Sequence, residues 1–225
     1  MEITVIQHVP FEVPGLVTNW SKTHQHQLNV IKLFKNGGQL PKPEQVSFLI
    51  VLGGPMSAND DLPWIEPERQ LIKDVVDSGK PMLGICLGAQ QLAKVYGEAI
   101  VPTKKEVGFG PVTATQSAQS LFNAAGTYQV LHWHGEGFRL PQQADLLFTS
   151  HYWQYQGFKL GSAIGLQFHL ESTPETLAAL TSADADFIPG SAYADNAQQI
   201  LSQTFDPNAA LLLNQILDYL VTHPK

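Results

Sequence analysis

Short apolar runs alternate with amphipathic segments along this 225-residue chain, and this alternation limits the folds that it can adopt. Residues 48–52 and 82–85 are continuous apolar runs that lead directly into glycine-containing turns. Such runs are typical of strands buried on both faces of a parallel sheet, because helices then cover each face. The pattern therefore predicts an α/β fold, with a doubly wound, mostly parallel sheet in a flavodoxin-like three-layer arrangement.

The spacing of apolar residues also predicts the other elements. The predicted strands are residues 3–7, 48–52, 82–85 and 163–169. The predicted helices are residues 28–34, 67–79, 87–96, a helix that opens at Pro174, and a C-terminal helix with the stripe Leu211, Leu212, Ile216, Leu217 and Leu220. Between residues 101 and 148 proline and glycine become frequent, and the runs 110–115 and 129–133 predict a small antiparallel insertion. Residues 184–196 are predicted to be a loop.

Length and composition are those of a globular α/β protein, and the chain is interpreted as a single domain over residues 1–225. Hydrophobic residues make up 44% and charged residues 15%, and the net charge of −7 argues against nucleic-acid or anionic-membrane partners. No apolar run is long enough to span a membrane. Because the chain has one cysteine and no secretory signal pattern, no internal disulfide forms and a cytoplasmic location is expected.

The single cysteine, Cys86, stands between Gly84 and Gly88, where a predicted strand passes into a predicted helix. The G-x-C-x-G form is that of a nucleophile elbow, a sharp turn that leaves no room for side chains two residues away. The turn places the thiol over the first N–H groups of the helix, which stabilise the thiolate form. Cys86 is therefore predicted to be a nucleophile, with the N–H of Leu87 facing the carbonyl oxygen of the group that it attacks.

A thiol nucleophile needs a base and an orienting group, and His169 and Glu171 have suitable spacing. They stand two residues apart at the end of a predicted strand, so their side chains are expected on one face. The carboxyl ends of parallel strands meet at one edge of a sheet, which brings this pair towards Cys86. Gly53 and Gly54 follow another buried strand at the same edge, and the N–H of Gly54 is the candidate second donor to an oxyanion.

These blocks resemble the signature segments of class I glutamine amidotransferase domains. The matching segments are 53–55 (GGP), 84–90 (GICLGAQ) and 167–171 (QFHLE), and two further segments, 106–111 (EVGFGP) and 132–135 (HWHG), resemble the stand-alone, GMP-synthase-like members. The resemblance implies a triad of Cys86, His169 and Glu171, with oxyanion donors Gly54 and Leu87. It further implies substrate contacts from Gly53, Gln90, Trp133 and His134.

Two residues depart from the family pattern. Leu170 stands between the histidine and the glutamate, where the family usually has proline; this loosens the backbone but keeps both catalytic side chains. Glu136 stands where the relatives more often have aspartate, and this difference bears on the choice of ligand rather than on hydrolysis.

The implied activity is hydrolysis of a γ-glutamyl amide through a thioester. The substrate is either glutamine, with ammonia passed to a separate synthase subunit, or a γ-glutamyl peptide, with no transfer. Two other classes stay open. A cysteine enzyme of the wider superfamily usually has histidine directly after the cysteine, where this chain has Leu87. A non-catalytic binding module would not need the intact set of Cys86, His169 and Glu171.

The implied chemistry needs no organic cofactor and no metal, and none is predicted. His24 and His26 stand in a polar segment that is interpreted as an exposed helix start. His132 and His134 lack a third ligand of clear spacing in the sequence. Glu12 stands in the proline-rich loop after the first strand, and whether its side chain reaches the crevice is left undecided.

Overall fold

The structure is a computed structural model, and it describes residues 1–35 and 37–223. Its strands are β1 (Glu2–Gln7), β2 (Gln27–Lys32), β3 (Leu49–Val51), β4 (Met82–Ile85), β5 (Ile100–Ala114), β6 (Thr127–Phe138), β7 (Asp145–Thr149), β8 (Gly157–Leu160) and β9 (Ala163–Leu166). Its helices are α1 (Leu16–Thr23), α2 (Ile65–Asp77), α3 (Leu87–Val95), α4 (Gln116–Phe122), α5 (Pro174–Ala183), α6 (Ala197–Leu201) and α7 (Pro207–Thr222). Over these described ranges, nine strands form one sheet in the order β2-β1-β3-β4-β9-β8-β7-β5-β6.

The sheet has a parallel part and an antiparallel part. Strands β2, β1, β3, β4 and β9 run parallel to one another, and β8, β7, β5 and β6 continue the sheet with antiparallel pairing. This confirms the predicted α/β fold with an antiparallel section. The predicted runs 110–115 and 129–133 fall in or next to the long β5–β6 pair, where Gly110 lies opposite Val130. The carboxyl ends of β1, β3, β4 and β9 meet at one edge of the sheet.

Helices cover both faces of the sheet because successive strand residues point to opposite sides. Ile50 of β3 packs in a core with α1, α4 and α7, while its neighbours Leu49 and Val51 pack with α2 and α3 on the other face. A third apolar cluster joins β5 and β6 to α5. The result is the three-layer arrangement that the apolar runs predicted.

The predicted helix over residues 28–34 is wrong, because this segment contains the edge strand β2, which runs parallel to β1. Leu28 and Val30 pack against the core on one face of the sheet, and Ile31 packs against the core on the other. This alternation is the two-residue period of a strand, and the β-branched side chains of Val30 and Ile31 also favour it. The helix in this part of the chain is α1, in a segment that the pattern left unassigned.

The predicted C-terminal helix is present as α7. Leu212, Ile216, Leu217 and Leu220 are buried in the core, but Leu211 is 57% exposed, so the apolar stripe is narrower than predicted. Although α7 is rich in leucine, neither it nor another helix in the described ranges has the length and apolar run needed to cross a membrane.

Candidate active site

Cys86 lies in the tight turn between β4 and α3, where the glycine spacing places it. Its φ of 51° and ψ of −106° are uncommon for a residue with a side chain, and it is the N-cap residue of α3. A Cβ atom on Gly84 would lie 2.6 Å from the carbonyl oxygen of Gly88, and one on Gly88 would lie 2.2 Å from that of Val51. Both positions therefore require glycine, and the strained turn holds the thiol at the carboxyl edge of the sheet.

The Cys86 residue is 6% exposed and lines a cavity of about 350 Å³. Its sulfur atom is 3.8 Å from the carbonyl oxygen of Trp133 and 3.7 Å from Nε2 of Gln167. The ring of His169 lines the same cavity, and its interaction with Cys86 contributes to the raised pKa of the ring. The thiol and the imidazole therefore meet in one accessible space rather than in a sealed apolar core.

His169 lies between the thiol and a carboxylate. Its Nδ1 atom is 2.7 Å from Oε1 of Glu171, and both residues are buried. Burial by itself lowers the pKa of the His169 ring, but the charge of Glu171 and the hydrogen bonds to Cys86 and Glu171 raise it well above its ordinary value. The protonated ring is therefore the favoured state at neutral pH.

The segment that carries His169 and Glu171 is held by contacts outside β9, which ends at Leu166 and is shorter than predicted. The N–H of His169 donates to the carbonyl oxygen of Leu131 in β6 at 2.8 Å. The carbonyl oxygen of Glu171 accepts from the N–H of Leu16, at the start of α1, at 2.7 Å. These two contacts, rather than a continued strand, bring the His169 and Glu171 side chains together.

The glycine pair after β3 lies against the same ring. A Cβ atom on Gly53 would lie 2.1 Å from Oε2 of Glu12 and 3.1 Å from Cε1 of His169, so a larger residue would displace one of them. A Cβ atom on Gly54 would have three side-chain atoms within 3.2 to 3.3 Å, one of them from Leu87. Only small residues fit here, and their backbone comes close to the reactive groups.

A second buried histidine–carboxylate pair supports this glycine loop. His8 follows β1, with Nδ1 at 2.9 Å from the carbonyl oxygen of Gly53 and Nε2 at 2.8 Å from Oε2 of Glu68. Burial lowers the pKa of His8, but the Glu68 charge and the hydrogen bonds outweigh it, so the pKa is raised overall. Neither residue was predicted from the sequence. One signal was available in the sequence. Glu68 precedes the apolar residues Leu71 and Ile72 by three and four positions, so it lies on the same face of α2 as they do.

The nine residues singled out in the sequence fall into two groups. Those that line the cavity are Gly54, Cys86, Gln90, Trp133, His134 and His169. Those that are buried next to this lining are Gly53, Leu87 and Glu171. Side-chain contacts hold two of the lining residues in place. Nε2 of Gln90 donates to the carbonyl oxygen of Glu136 at 3.1 Å, and Nε1 of Trp133 donates to Oδ2 of Asp184 at 2.8 Å.

The cavity lining is acidic. Glu12, Glu136 and Asp184 line it, and its described lining residues include no lysine or arginine. Burial raises the pKa of Glu12 to about 7; the charge of His169 opposes this rise, and nearby carboxylates add to it. Glu12 therefore lines the cavity, a position that was left undecided from the sequence. Asp184 was missed because it stands at the start of a predicted loop with no chemical pattern around it.

A further buried polar cluster adjoins the cavity through His134. Nδ1 of His132 and Nε2 of His134 are 3.5 Å apart, and carboxylate oxygens of Glu106 lie 3.8 Å and 3.5 Å from them. These are suitable ligand types at suitable spacing for a metal ion, and the third member comes from the neighbouring strand β5, which the sequence spacing did not reveal. The Glu106 carboxylate also accepts hydrogen bonds from Ser150, Gln156 and Tyr193. The absence of a metal therefore stays a prediction.

Burial dominates the electrostatics of this cluster. It lowers the pKa of His132 well below its ordinary value and that of His134 to about 3, and the charges of neighbouring histidines add to both effects. Burial also raises the pKa of Glu106, although its three hydrogen-bond donors oppose the change. Both rings are therefore neutral at pH values where His8 and His169 carry a proton.

His24 and His26 follow helix α1, so their interpretation as a helix start is wrong. His24 is the C-cap residue of α1, its ring stacks on Trp20 with centroids 4.8 Å apart, and its Nε2 is 3.3 Å from Oδ1 of Asp218. Among the residues that the structure describes, neither histidine belongs to a cluster of three or more side chains that could bind a metal ion.

A cysteine in a glycine-flanked elbow, next to a histidine–glutamate pair at the carboxyl edge of a parallel sheet, is the arrangement of a cysteine hydrolase. The class-I glutamine amidotransferase family matches residues 16–183, and the chain therefore belongs to this family. The site and the family together define a cysteine enzyme of the glutamine amidotransferase type.

Individual relatives agree with the family. The chain is 26% identical over 190 residues to the glutamine amidotransferase-like protein YfeJ of Salmonella typhimurium, with 80% of each chain covered. It is 34% identical over 143 residues to the GMP synthase of Yarrowia lipolytica. The matched segment covers 61% of this chain but only 26% of the synthase. The crystal structure of a glutamine amidotransferase from Thermotoga maritima superposes with a TM-score of 0.89 at 30% identity and covers 99% of both chains.

Proposed function

We propose that this protein hydrolyses the side-chain amide of glutamine, or another γ-glutamyl amide, at Cys86, and that residues 1–225 act as one domain. One observation carries the proposal: the Cys86 thiol and the His169 imidazole line one cavity, and Oε1 of Glu171 lies 2.7 Å from the ring nitrogen Nδ1. In this proposal Cys86 is the nucleophile, His169 the acid and base, and Glu171 the group that orients His169.

The proposed reaction has two stages. The sulfur of Cys86 attacks the amide carbon, and the oxygen of the tetrahedral intermediate accepts the N–H groups of Gly54 and Leu87. His169 gives its proton to the nitrogen as the C–N bond breaks, which leaves a γ-glutamyl thioester on Cys86. Water then gives a proton to His169 and attacks the thioester carbon. Glutamate leaves, and the thiolate and the protonated ring are restored.

His8 has a positioning role in this proposal. The Gly53 carbonyl and the Gly54 N–H belong to one planar peptide group, so a contact that fixes the oxygen also fixes the direction of the N–H. His8 makes that contact at 2.9 Å, and both of its ring nitrogens face acceptor oxygens. A ring protonated on both nitrogens satisfies both acceptors. His8 would therefore aim the Gly54 donor without touching the substrate.

The other end of the cavity is proposed to hold the amino-acid part of the substrate. Gln90 lies one helical turn past Cys86, and its amide contacts the carbonyl oxygen of Glu136. Trp133 and His134 line this space as well. Here the Glu136 carboxylate, which accepts from Oγ of Ser57 at 2.7 Å, is a suitable partner for the α-ammonium group of a γ-glutamyl substrate. The backbone of Gly53 is proposed to contact the substrate next to the oxyanion site.

Two fates of the released nitrogen are compatible with this chemistry. Similarity to part of a GMP synthase supports delivery of ammonia to an acceptor, and we propose that a separate synthase subunit would then receive it. Hydrolysis of a γ-glutamyl peptide or amine needs no such partner. Neither route calls on an organic cofactor, since both use only the thioester chemistry at Cys86.

Covalent labelling tests the proposal. Treatment with 6-diazo-5-oxo-norleucine, an electrophile with the shape of glutamine, should add one label to Cys86, as located by peptide mass spectrometry. Purified protein should also release glutamate from glutamine or from a γ-glutamyl dipeptide. The Cys86→Ala variant should do neither while keeping its circular dichroism spectrum. Folded wild-type protein that takes up no label and releases no glutamate from either substrate would overturn the proposal.

A further inference from the structure

The cavity beside Cys86 has a charge imbalance that glutamine does not balance. Three carboxylates line it, those of Glu12, Glu136 and Asp184; the described lining residues include no lysine or arginine, and the protonated ring of His169 already has Glu171 as its partner. Within the described part of the chain none of the three forms an ion pair. The hydrogen-bond donors to Glu136 and Asp184 are the neutral groups of Ser57 and Trp133. Glutamine brings one ammonium and one carboxylate, so it adds no net charge.

The three carboxylates lie towards different ends of the cavity. Glu136 lies near Gln90, at one end of the cavity. The carbonyl oxygen of Glu136 accepts from Nε2 of Gln90 at 3.1 Å. Glu12 lies near His169, at the other end of the cavity. Both side chains adjoin Gly53: a Cβ atom there would be 2.1 Å from Oε2 of Glu12 and 3.1 Å from Cε1 of His169. Asp184 lines the same cavity, where its Oδ2 accepts from Nε1 of Trp133 at 2.8 Å, and its charge adds to the rise in the pKa of Glu12.

The proposed mechanism gives these two ends different roles. His169 passes its proton to the leaving nitrogen, so the leaving group lies at the His169 end and the amino-acid part at the Gln90 end. The α-ammonium group then has Glu136 as its partner. Glu12 and Asp184 face the chain attached to the leaving nitrogen, and ammonia released from glutamine has no such chain.

We propose that Glu12 and Asp184 select γ-glutamyl amides whose leaving amine carries a second, positively charged group, such as the monoamide of a diamine. The inference rests on the proposed function and names its substrate class. A cation held between two partly buried carboxylates offsets their mutual repulsion and their loss of water. Burial raises the pKa of Glu12 to about 7, and the charge of His169, which is already paired with Glu171, only partly opposes the rise. A cation from the substrate would stabilise the charged form of Glu12 further.

Three γ-glutamyl amides of similar length test the inference through the charge at the end of the leaving group. The amide of butane-1,4-diamine ends in an ammonium, that of n-pentylamine in a methyl group, and that of 4-aminobutyrate in a carboxylate. We expect kcat/KM for glutamate release to be about tenfold higher for the ammonium than for the methyl compound, and lowest for the carboxylate. The ranking should flatten in about 0.5 M salt, because salt screens the charges.

Variants test the residues. In Glu12→Gln and Asp184→Asn, the ratio of kcat/KM between the ammonium and methyl compounds should fall about three- to tenfold. Glu44→Gln, at an exposed position on a short 3₁₀ turn, should keep the wild-type ratio. Because the measured quantity is a ratio within one protein preparation, partial loss of folded protein does not change it.

The outcomes separate this inference from the proposed function. Equal kcat/KM values for the three amides, or a ratio unchanged in both variants, would overturn the inference. If glutamine is still hydrolysed and Cys86 is still labelled, the proposed function stands in that case. If wild-type protein hydrolyses none of the amides or glutamine and Cys86 takes up no label, both are overturned.

Discussion

Two buried histidine–carboxylate pairs lie at the carboxyl edge of the sheet, and they differ in what lies beside the rest of the histidine ring. In one pair, Nε2 of His8 is 2.8 Å from Glu68 and Nδ1 is 2.9 Å from the carbonyl oxygen of Gly53. In the other, Nδ1 of His169 is 2.7 Å from Glu171, and the ring lines the cavity that the Cys86 thiol also lines. Both rings have a raised pKa.

The comparison separates the electrostatics of a histidine from its reactivity. Burial, a carboxylate partner and a raised pKa occur in both pairs, so none of these properties by itself identifies a catalytic histidine. The difference is what lies beside the rest of the ring: the second nitrogen of His8 contacts an unreactive backbone carbonyl, whereas the ring of His169 shares a cavity with the Cys86 thiol. We therefore expect His169 to transfer protons and His8 to hold the backbone in place.

The largest effect should come from His169→Gln. Glutamine cannot carry the proton between the thiol, the leaving nitrogen and water, so kcat for glutamate release should fall by about 10³-fold or more. Steady-state assays at saturating substrate measure this change. His151→Gln, at an exposed position outside the cavity lining, is the matched control and should retain wild-type kcat. A His169→Gln enzyme with more than about a tenth of wild-type kcat would contradict the comparison.

A smaller effect is expected for His8→Gln. Loss of the contact with Gly53 leaves the Gly54 donor less well aimed, so kcat should fall about 10- to 100-fold with little change in KM. Alkylation of Cys86 by iodoacetamide provides the contrast, because displacement at an alkyl iodide needs a thiolate but no oxyanion donor. The alkylation rate should therefore drop in His169→Gln and stay within about twofold of wild type in His8→Gln.

These two measurements distinguish positioning from a general loss of structure. A His8→Gln protein that merely folds poorly would lose alkylation rate, cooperativity of unfolding and kcat together. If the variant instead keeps wild-type kcat, the orientation of the Gly53 peptide group does not depend on His8. The positioning role proposed for the His8–Glu68 pair would then be wrong.

The reactive pair was easier to predict from the sequence than the supporting pair. The roles proposed for Cys86, His169 and Glu171 rest on local patterns, namely glycine at two residues on either side of the thiol and a two-residue spacing of the pair. His8 and Glu68 are 60 positions apart in the chain and meet only after β1 and α2 pack on the same sheet. No local spacing reveals such a pair.

The same distinction applies to the fold. Strands β3 and β4 were predicted because both faces are buried, which gives continuous apolar runs. Strand β2 was missed because it lies at the sheet edge with exposed polar residues between its apolar ones. Over so short a segment, the spacing of Leu28, Ile31 and Leu33 fits a helix as well as a strand, and only pairing with β1 decides between them.

The smallest expected effect is on the pH dependence of stability, which both pairs share. A group whose pKa is raised on folding contributes stability that is fully present below its unfolded pKa, about 6.5 for histidine, and is lost as the pH rises through the raised folded value. The charged groups that raise the pKa are Glu68 and Glu12 for His8, and Glu171 and Cys86 for His169. The free energy that each pair contributes to folding should therefore fall as the solution becomes more alkaline.

Urea unfolding of wild type, His8→Gln and His169→Gln at about pH 6 and about pH 9 measures this contribution. Each variant should lose less stability than wild type between the two pH values, because one raised group is gone. His132 and His134 have lowered pKa values and act in the opposite direction, but they are common to all three proteins and cancel in the difference. If His8→Gln keeps the full wild-type dependence, the His8 ring is neutral in the folded protein. The proton between His8 and Glu68 would then belong to the carboxyl group, and the Gly53 carbonyl would be held by a neutral ring rather than by a fixed positive charge.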